Sequence, residues 1–171
     1  MKSELEKFYT EIESIDTTMM TTRRSDGHLR SRAMANQKHA AGADLWFVCK
    51  EGTAKLADIE NDPHVNLSYY RDGNREWVSV SGTAVISRDR AKIHELYAPD
   101  WKMWFDDDGD PRHGTPDDPR MVLIGVTVHA AEFLEVTKSK PALLFELVKG
   151  FVTGNEPEFG EMHKLVEPRR R

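Results

Sequence analysis

The sequence predicts a mainly β protein, a six-stranded antiparallel barrel with helices at its periphery, in one domain spanning residues 1–171. Three observations carry this. Six segments read as strands, by alternation of apolar and polar residues or as short continuous apolar runs. Ser25-Asp26-Gly27 and Asp72-Gly73-Asn74 are hairpin turns, too short to hold the helix that a parallel crossover needs. The helical patterns are few and stand beside the strands instead of following each one, so an α/β order is not met.

In chain order, Leu5, Phe8, Tyr9 and Ile12 fall at helical spacing and predict a first amphipathic helix over 3–14. The threonine-rich segment 15–24 predicts strand one, and His28 to Ala35 returns as strand two. Leu45-Trp46-Phe47-Val48-Cys49 is apolar throughout, as a strand buried on both faces must be. Thr53 is an N-cap residue for a short helix with Leu56 and Ile59 on one face, stopped by Asn61-Asp62-Pro63. Val65 to Tyr70 alternates as strand four. Strand five runs from Glu76 to Ser87, and Gly82 within it predicts a bulge or a tight corner.

Asp89 caps a helix holding Ile93, Leu96 and Tyr97, and residues 99–120, with four prolines and an acidic run, read as loop. Strand six is long, Met121 to Val136, with a bend expected at Ala130-Ala131. Pro141 to Val148 predicts a last helix with Leu143, Leu144, Leu147 and Val148 inward, and 151–171 an extended tail.

Composition narrows the function classes. A formal net charge of −5 supplies no general attraction to nucleic acid or anionic membrane, and the closing Arg169 to Arg171 read as a solvated tail. Cys49 is the only cysteine, which excludes an intrachain disulfide, and no apolar run approaches the ~20 residues of a membrane span. No signal peptide is recognised at the N-terminus, so a cytoplasmic location is expected. Asp106 to Asp110 cannot be an EF-hand loop: with Gly109 at the sixth position, Trp104 and Thr115 occupy positions that need a carboxylate and a glutamate. The histidines lack ligand spacing and no serine stands in a nucleophile elbow, so no metal or hydrolytic site is predicted.

One segment does point to a ligand. A short helix opening with Thr53 and Lys55 presents free N–H groups, a positive dipole end and an ammonium, which together suit a phosphate. Arg32, arriving from a neighbouring strand, would add a guanidinium able to grip two phosphate oxygens.

Arg30-Ser31-Arg32-Ala33-Met34, the strand Leu45 to Cys49, Thr53-x-Lys55 through Asn61-Asp62-Pro63-x-Val65, and Trp77 to Gly82, in this order, resemble the flavin-mononucleotide (FMN)-binding split barrels of the pyridoxamine-phosphate-oxidase-like fold, in particular their general stress protein 26 branch. The resemblance spans about residues 5–150. It implies a split β-barrel that binds FMN as a homodimer, with the flavin at the interface. Carried onto this sequence, it implies that Arg32, Thr53 and Lys55 hold the phosphate. Ser31, Met34, Phe47, Val48 and Cys49 would lie along the ribityl chain and ring, with Trp77 and Ser79 placed to reach the cofactor, from their own chain or from the partner. Where the oxidases have an arginine before the helix lysine, this chain has Ala54, and Arg30 is placed to substitute. The end of the chain, Met162 to Pro168, lacks the oxidases' substrate motif, so oxidation of pyridoxamine phosphate is not expected.

The resemblance implies a flavin-dependent oxidoreductase acting on a small substrate, with NADH or NADPH as reductant. A flavin-binding stress protein without turnover is the alternative, and a haem-handling split barrel with His163 as ligand is a third reading. Cys49 reads as a small buried hydrophobe, and Trp101, Trp104 and Phe105 as packing aromatics. Trp77 fits ring stacking and interface packing equally.

Overall fold

The computed structural model describes residues 3–166, the side chain of Lys140 excepted. Helix α1 (Glu4–Ile15) opens with a capping box, in which the Ser3 hydroxyl accepts from the Glu6 N–H and the Glu6 carboxylate accepts from the Ser3 N–H. It buries Phe8 and Ile12 against the sheet. Strands β1 (Thr17–Arg23) and β2 (Leu29–Ala35) form a hairpin whose turn places Gly27 at φ 86°, a conformation that glycine adopts without penalty. Then come β3 (Leu45–Lys50), α2 (Ala54–Asn61), β4 (His64–Arg71) and β5 (Glu76–Ser87). Helix α3 (Arg90–Leu96) is capped by Asp89, which accepts from the Ala91 and Lys92 N–H groups. A 3₁₀ turn at Pro99–Trp104, β6 (Met121–Glu135), α4 (Lys140–Thr153) and β7 (Glu161–Val166) complete the order.

All strand pairs are antiparallel, in the order β2-β1-β4-β5-β6-β3, with β7 also pairing β6. The sheet is therefore mainly β as expected, but it has seven strands, it is not closed, and β2 and β3 are the ends of its path. Its inner faces converge on Met20, Leu67, Val78, Val80, Ile124 and Phe133. A second cluster, Trp46, Ile93, Leu96, Trp101, Phe105, Met121 and Leu123, lies under α3 and the 3₁₀ turn. This explains the unbroken apolar run of β3: Phe47 fills one core and Trp46 the other.

Gly82 marks the irregularity its position predicts. Ser81 pairs with Ala130 and Gly82 with Val128, so His129 is the extra residue of a bulge, one position before the bend expected at Ala130-Ala131. A Cβ on Gly82 would stand 2.5 Å from the Thr127 carbonyl oxygen.

Two expectations are corrected. Part of the expected tail is not a free end: Glu161–Val166 is extended, as expected, but paired to β6 as strand β7. Strand β3 pairs only with Met121 to Val126, leaving the same edge of β6 open from Ala130 to Glu135, and β7 fills it. The last helix runs to Thr153 and ends at Gly154, in the left-handed conformation, but of the four residues expected inward only Leu143 is half-buried: Leu144, Leu147 and Val148 are exposed, as are Phe145, Phe151 and Val152. The expected solvated tail at Arg169 to Arg171 lies outside the described residues. Among the described residues no helix is long and apolar enough to cross a membrane.

Candidate functional site: a cleft at the open seam of the sheet

Among the described residues, strands β2 and β3 each have only one partner, β1 and β6 respectively, and their other edges face one another. At one end the Gln37 N–H closes the seam by donating to the Trp46 carbonyl at 3.0 Å. Beyond that point the seam opens as a cavity of about 370 Å³, within the range of small-ligand sites. Ala33, Met34 and Ala35 of β2 form one wall, and Val48, Cys49 and Lys50 of β3 the other. Thr53 and Lys55 lie at the start of α2, while Asp100, Trp101, Trp104 and Phe105 come from the 3₁₀ turn. Two strand edges lining an apolar cleft offer backbone donors and acceptors to a flat polar heterocycle.

The α2 end has the features of an anion pole. Thr53 occupies the N-cap with extended backbone angles, yet its side chain does not cap the helix. Its Oγ1 is buried and, among the described residues, has no oxygen or nitrogen partner, the Cys49 sulfur beside it being a weak acceptor. A buried hydroxyl in this state carries a desolvation cost of about 1–3 kcal/mol, which a ligand oxygen would remove. Lys55 is half-buried and, among the described residues, forms no ion pair. The first-turn N–H groups of α2 add a positive dipole end. Burial pushes the Cys49 thiol up, with the Lys55 charge and the Thr53 hydroxyl beside it pulling the other way, so this cysteine is a protonated wall residue.

The arginines do something the sequence did not announce. Asp58, on the inner face of α2 and 4% exposed, accepts from Arg30 Nε at 2.6 Å, Arg30 Nη2 at 2.5 Å and the Thr22 hydroxyl at 2.7 Å. Arg32 donates through Nη1 to the Met20 carbonyl and the Thr22 hydroxyl, and its Nη2 stands 3.6 Å from Asp58. Hydrogen bonding to Arg30 above all holds the Asp58 carboxyl below its usual range. Arg30 also donates to the Ala54 carbonyl. Both guanidiniums thus clamp α2 to β1 and β2, and neither lines the cleft. Asp58 had no signal beyond its place in a short helix, because its partners lie 28 and 36 residues away.

The other expected residues divide. Met34, Val48, Cys49, Thr53 and Lys55 line the cleft. Phe47 is wholly buried in the core behind it. The Ser31 hydroxyl is exposed, 2.5 Å from that of Thr21. Trp77 and Ser79 lie on the outward face of β5, where the Asn66 side chain donates to the Ser79 hydroxyl, away from this cleft. Trp104, read as a packing aromatic, is 71% exposed at the cleft mouth. His163 meets Glu4 through Nδ1 at 2.8 Å and Glu135 through Nε2 at 3.0 Å, so neither nitrogen is free to ligate haem iron. The loop carboxylates Asp106, Asp108 and Asp110 pair with Lys50, Arg120 and Arg112.

Comparison with known proteins agrees with this architecture. Protein bli-3 of Neurospora crassa is 36% identical over 153 residues, covering 88% of this chain and 73% of that protein. A structure described as a candidate general stress protein 26 from Jannaschia sp. CCS1 superposes with a TM-score of 0.71 at 23% identity, covering 95% of this chain and 98% of its own. The general stress FMN/FAD binding protein of Xanthomonas citri superposes with a TM-score of 0.62 at 24% identity, covering 78% and 89%. The family described as pyridoxamine 5'-phosphate oxidase like matches residues 3–158, and this chain belongs to it.

Proposed function

We propose that the cleft binds FMN and that the protein is an FMN-dependent oxidoreductase of a small substrate. The observation that carries this is the pairing of a buried hydroxyl with no oxygen or nitrogen partner and an unpaired lysine, among the described residues, at one end of an apolar cleft bounded by two free strand edges. Thr53 and Lys55 would hold the phosphate, and the backbone of Ala33 to Ala35 and Val48 to Lys50 would hydrogen-bond the ring edge. Met34, Val48 and Cys49 would pack on its faces. Arg32 adds positive charge behind the pole while remaining tied to Thr22. One anion pole favours the mononucleotide over the dinucleotide, and the Xanthomonas citri relative, named for FMN/FAD binding, supports the ligand class. When bound, the flavin would supply hydride or single-electron acceptance; the protein orients it and shields it from water.

The reading includes a homodimer. Trp77 and Ser79 face away from their own cleft, beside the exposed Met19 and Tyr70 on the same outward face, so they would act at the partner's flavin. The exposed apolar side of α4 also calls for cover. A second reading, flavin binding without turnover, is favoured by two features: among the described residues no histidine lines the cleft, and burial holds its thiol protonated.

The test is to titrate the purified chain with FMN and the dinucleotide, then mix the FMN complex with NADPH or NADH under anaerobic conditions and add acceptors. FMN bound more tightly than the dinucleotide, reduced, and reoxidised over many turnovers supports the enzyme. Binding without turnover selects the second reading. Failure to bind FMN refutes both. Sedimentation giving a monomer with tightly bound flavin refutes the dimer.

A further inference from the structure

A 3₁₀ helix advances about three residues per turn, so residues three apart stand on one face. Trp101 and Trp104 are such a pair in the turn Pro99–Trp104, and both line the cleft. Their surroundings differ. Trp101 is 1% exposed, its Nε1 donates to the Gln37 side-chain carbonyl at 2.7 Å, and its ring meets Tyr97 edge-on. Phe105, the next residue after Trp104, is buried in the second core, with the Arg120 guanidinium over its ring. Between these anchors Trp104 makes no ring contact among the described residues and leaves 71% of its surface open.

The chain after the turn is tied to the cleft wall. Asp106 pairs with Lys50 of β3 at 3.0 Å, and Arg120 donates to the Asp106 carbonyl at 2.9 Å. The backbone on both sides of Trp104 is therefore held, while the indole is not covered. An open indole at the mouth of an apolar cleft has a large flat surface to give to a planar ligand.

We propose that Trp104 is the stacking lid of this site, its indole face closing over the ring of the bound flavin. The proposal rests on the FMN reading above and divides recognition between two groups. Trp104 reads the aromatic ring, and Lys55 with Thr53 reads the phosphate. Trp104 lies outside both core clusters, so replacing it removes ligand contact without opening the core.

The experiment titrates the full chain and its W104A, W104F and K55A variants with FMN and with riboflavin, which has the ring but no phosphate. Flavin and tryptophan fluorescence report binding, and circular dichroism and sedimentation report fold and assembly. W104A is expected to weaken FMN and riboflavin by the same factor, roughly tenfold for a lost aromatic stack. W104F should stay within about threefold of the parent, since an aromatic face remains. K55A should weaken FMN alone. W104A binding both flavins like the parent overturns the lid. So does a W104A chain whose loss of affinity comes only with dissociation of the dimer, which would make Trp104 an interface residue. A parent chain that binds no FMN overturns the flavin reading itself.

Discussion

Asp58→Asn is expected to lower stability by about 2–3 kcal/mol at pH 7, although Asp58 touches no ligand-facing residue. The carboxylate is 4% exposed and accepts two hydrogen bonds from Arg30 and one from Thr22, with Arg32 at 3.6 Å. Asparagine keeps the shape but replaces one acceptor oxygen with a donor, so at least one N–H or O–H now faces another donor. Breaking a buried ion pair costs about 3–5 kcal/mol; because the Arg30 side chain is 38% exposed and regains water, the cost falls to the bottom of that range or just below it. With a urea m-value of about 2 kcal/mol/M, the midpoint should fall by about 1–1.5 M. The pH dependence has a definite sign. The folded carboxyl is held below its usual 3.8, chiefly by Arg30, so its contribution is full above the unfolded value and is lost as pH falls through the folded one. Urea titrations at pH 7 and pH 3 should therefore show the gap between variant and parent narrowing in acid. An unchanged midpoint at pH 7, or a gap that widens in acid, would refute the clamp.

Four further outcomes are expected. Lys55→Ala should weaken FMN binding by about 1.5–3 kcal/mol, read by fluorescence titration, with the thermal midpoint of the apoprotein unchanged; Arg32→Ala should show the reverse emphasis, losing stability before affinity. Gly82→Ala should cost about 1–3 kcal/mol by urea denaturation, because its Cβ would meet the Thr127 carbonyl oxygen at 2.5 Å in a paired strand that cannot give way. The Asp118 carboxyl is held well below its usual range by Arg120, and also by the Gly114 N–H, so its contribution too is present above the unfolded value and lost in strong acid. Asp118→Asn should therefore lower the thermal midpoint at neutral pH, with the gap to the parent narrowing as pH falls below the usual carboxylate range; parallel curves would count against it.

What the sequence by itself determined about this protein was whatever short-range chemistry dictates. Gly27 in its turn, Asp89 at its cap and the alternation along β4 depend on residues within a few positions of one another, and they were legible, while Gly82 marked the place of a bulge whose extra residue, His129, lies on the distant β6. The α2 end of the cleft was legible too, because Thr53 and Lys55 belong to one short segment. Other features needed the assembled sheet. That β7 is a strand follows from the open edge of β6 left where β3 ends, not from the weak alternation of Glu161 to Val166. That Arg30 and Arg32 also meet a buried Asp58 became visible only once the fold brought α2 against β1 and β2. The α4 leucines have the spacing of an inward face but no core of the same chain to meet it. The cleft itself exists because β2 and β3, adjacent in sequence, are the two ends of the sheet path and never pair. Strand pairing and burial are decided between residues distant in sequence, and that is why only the tertiary structure could settle them.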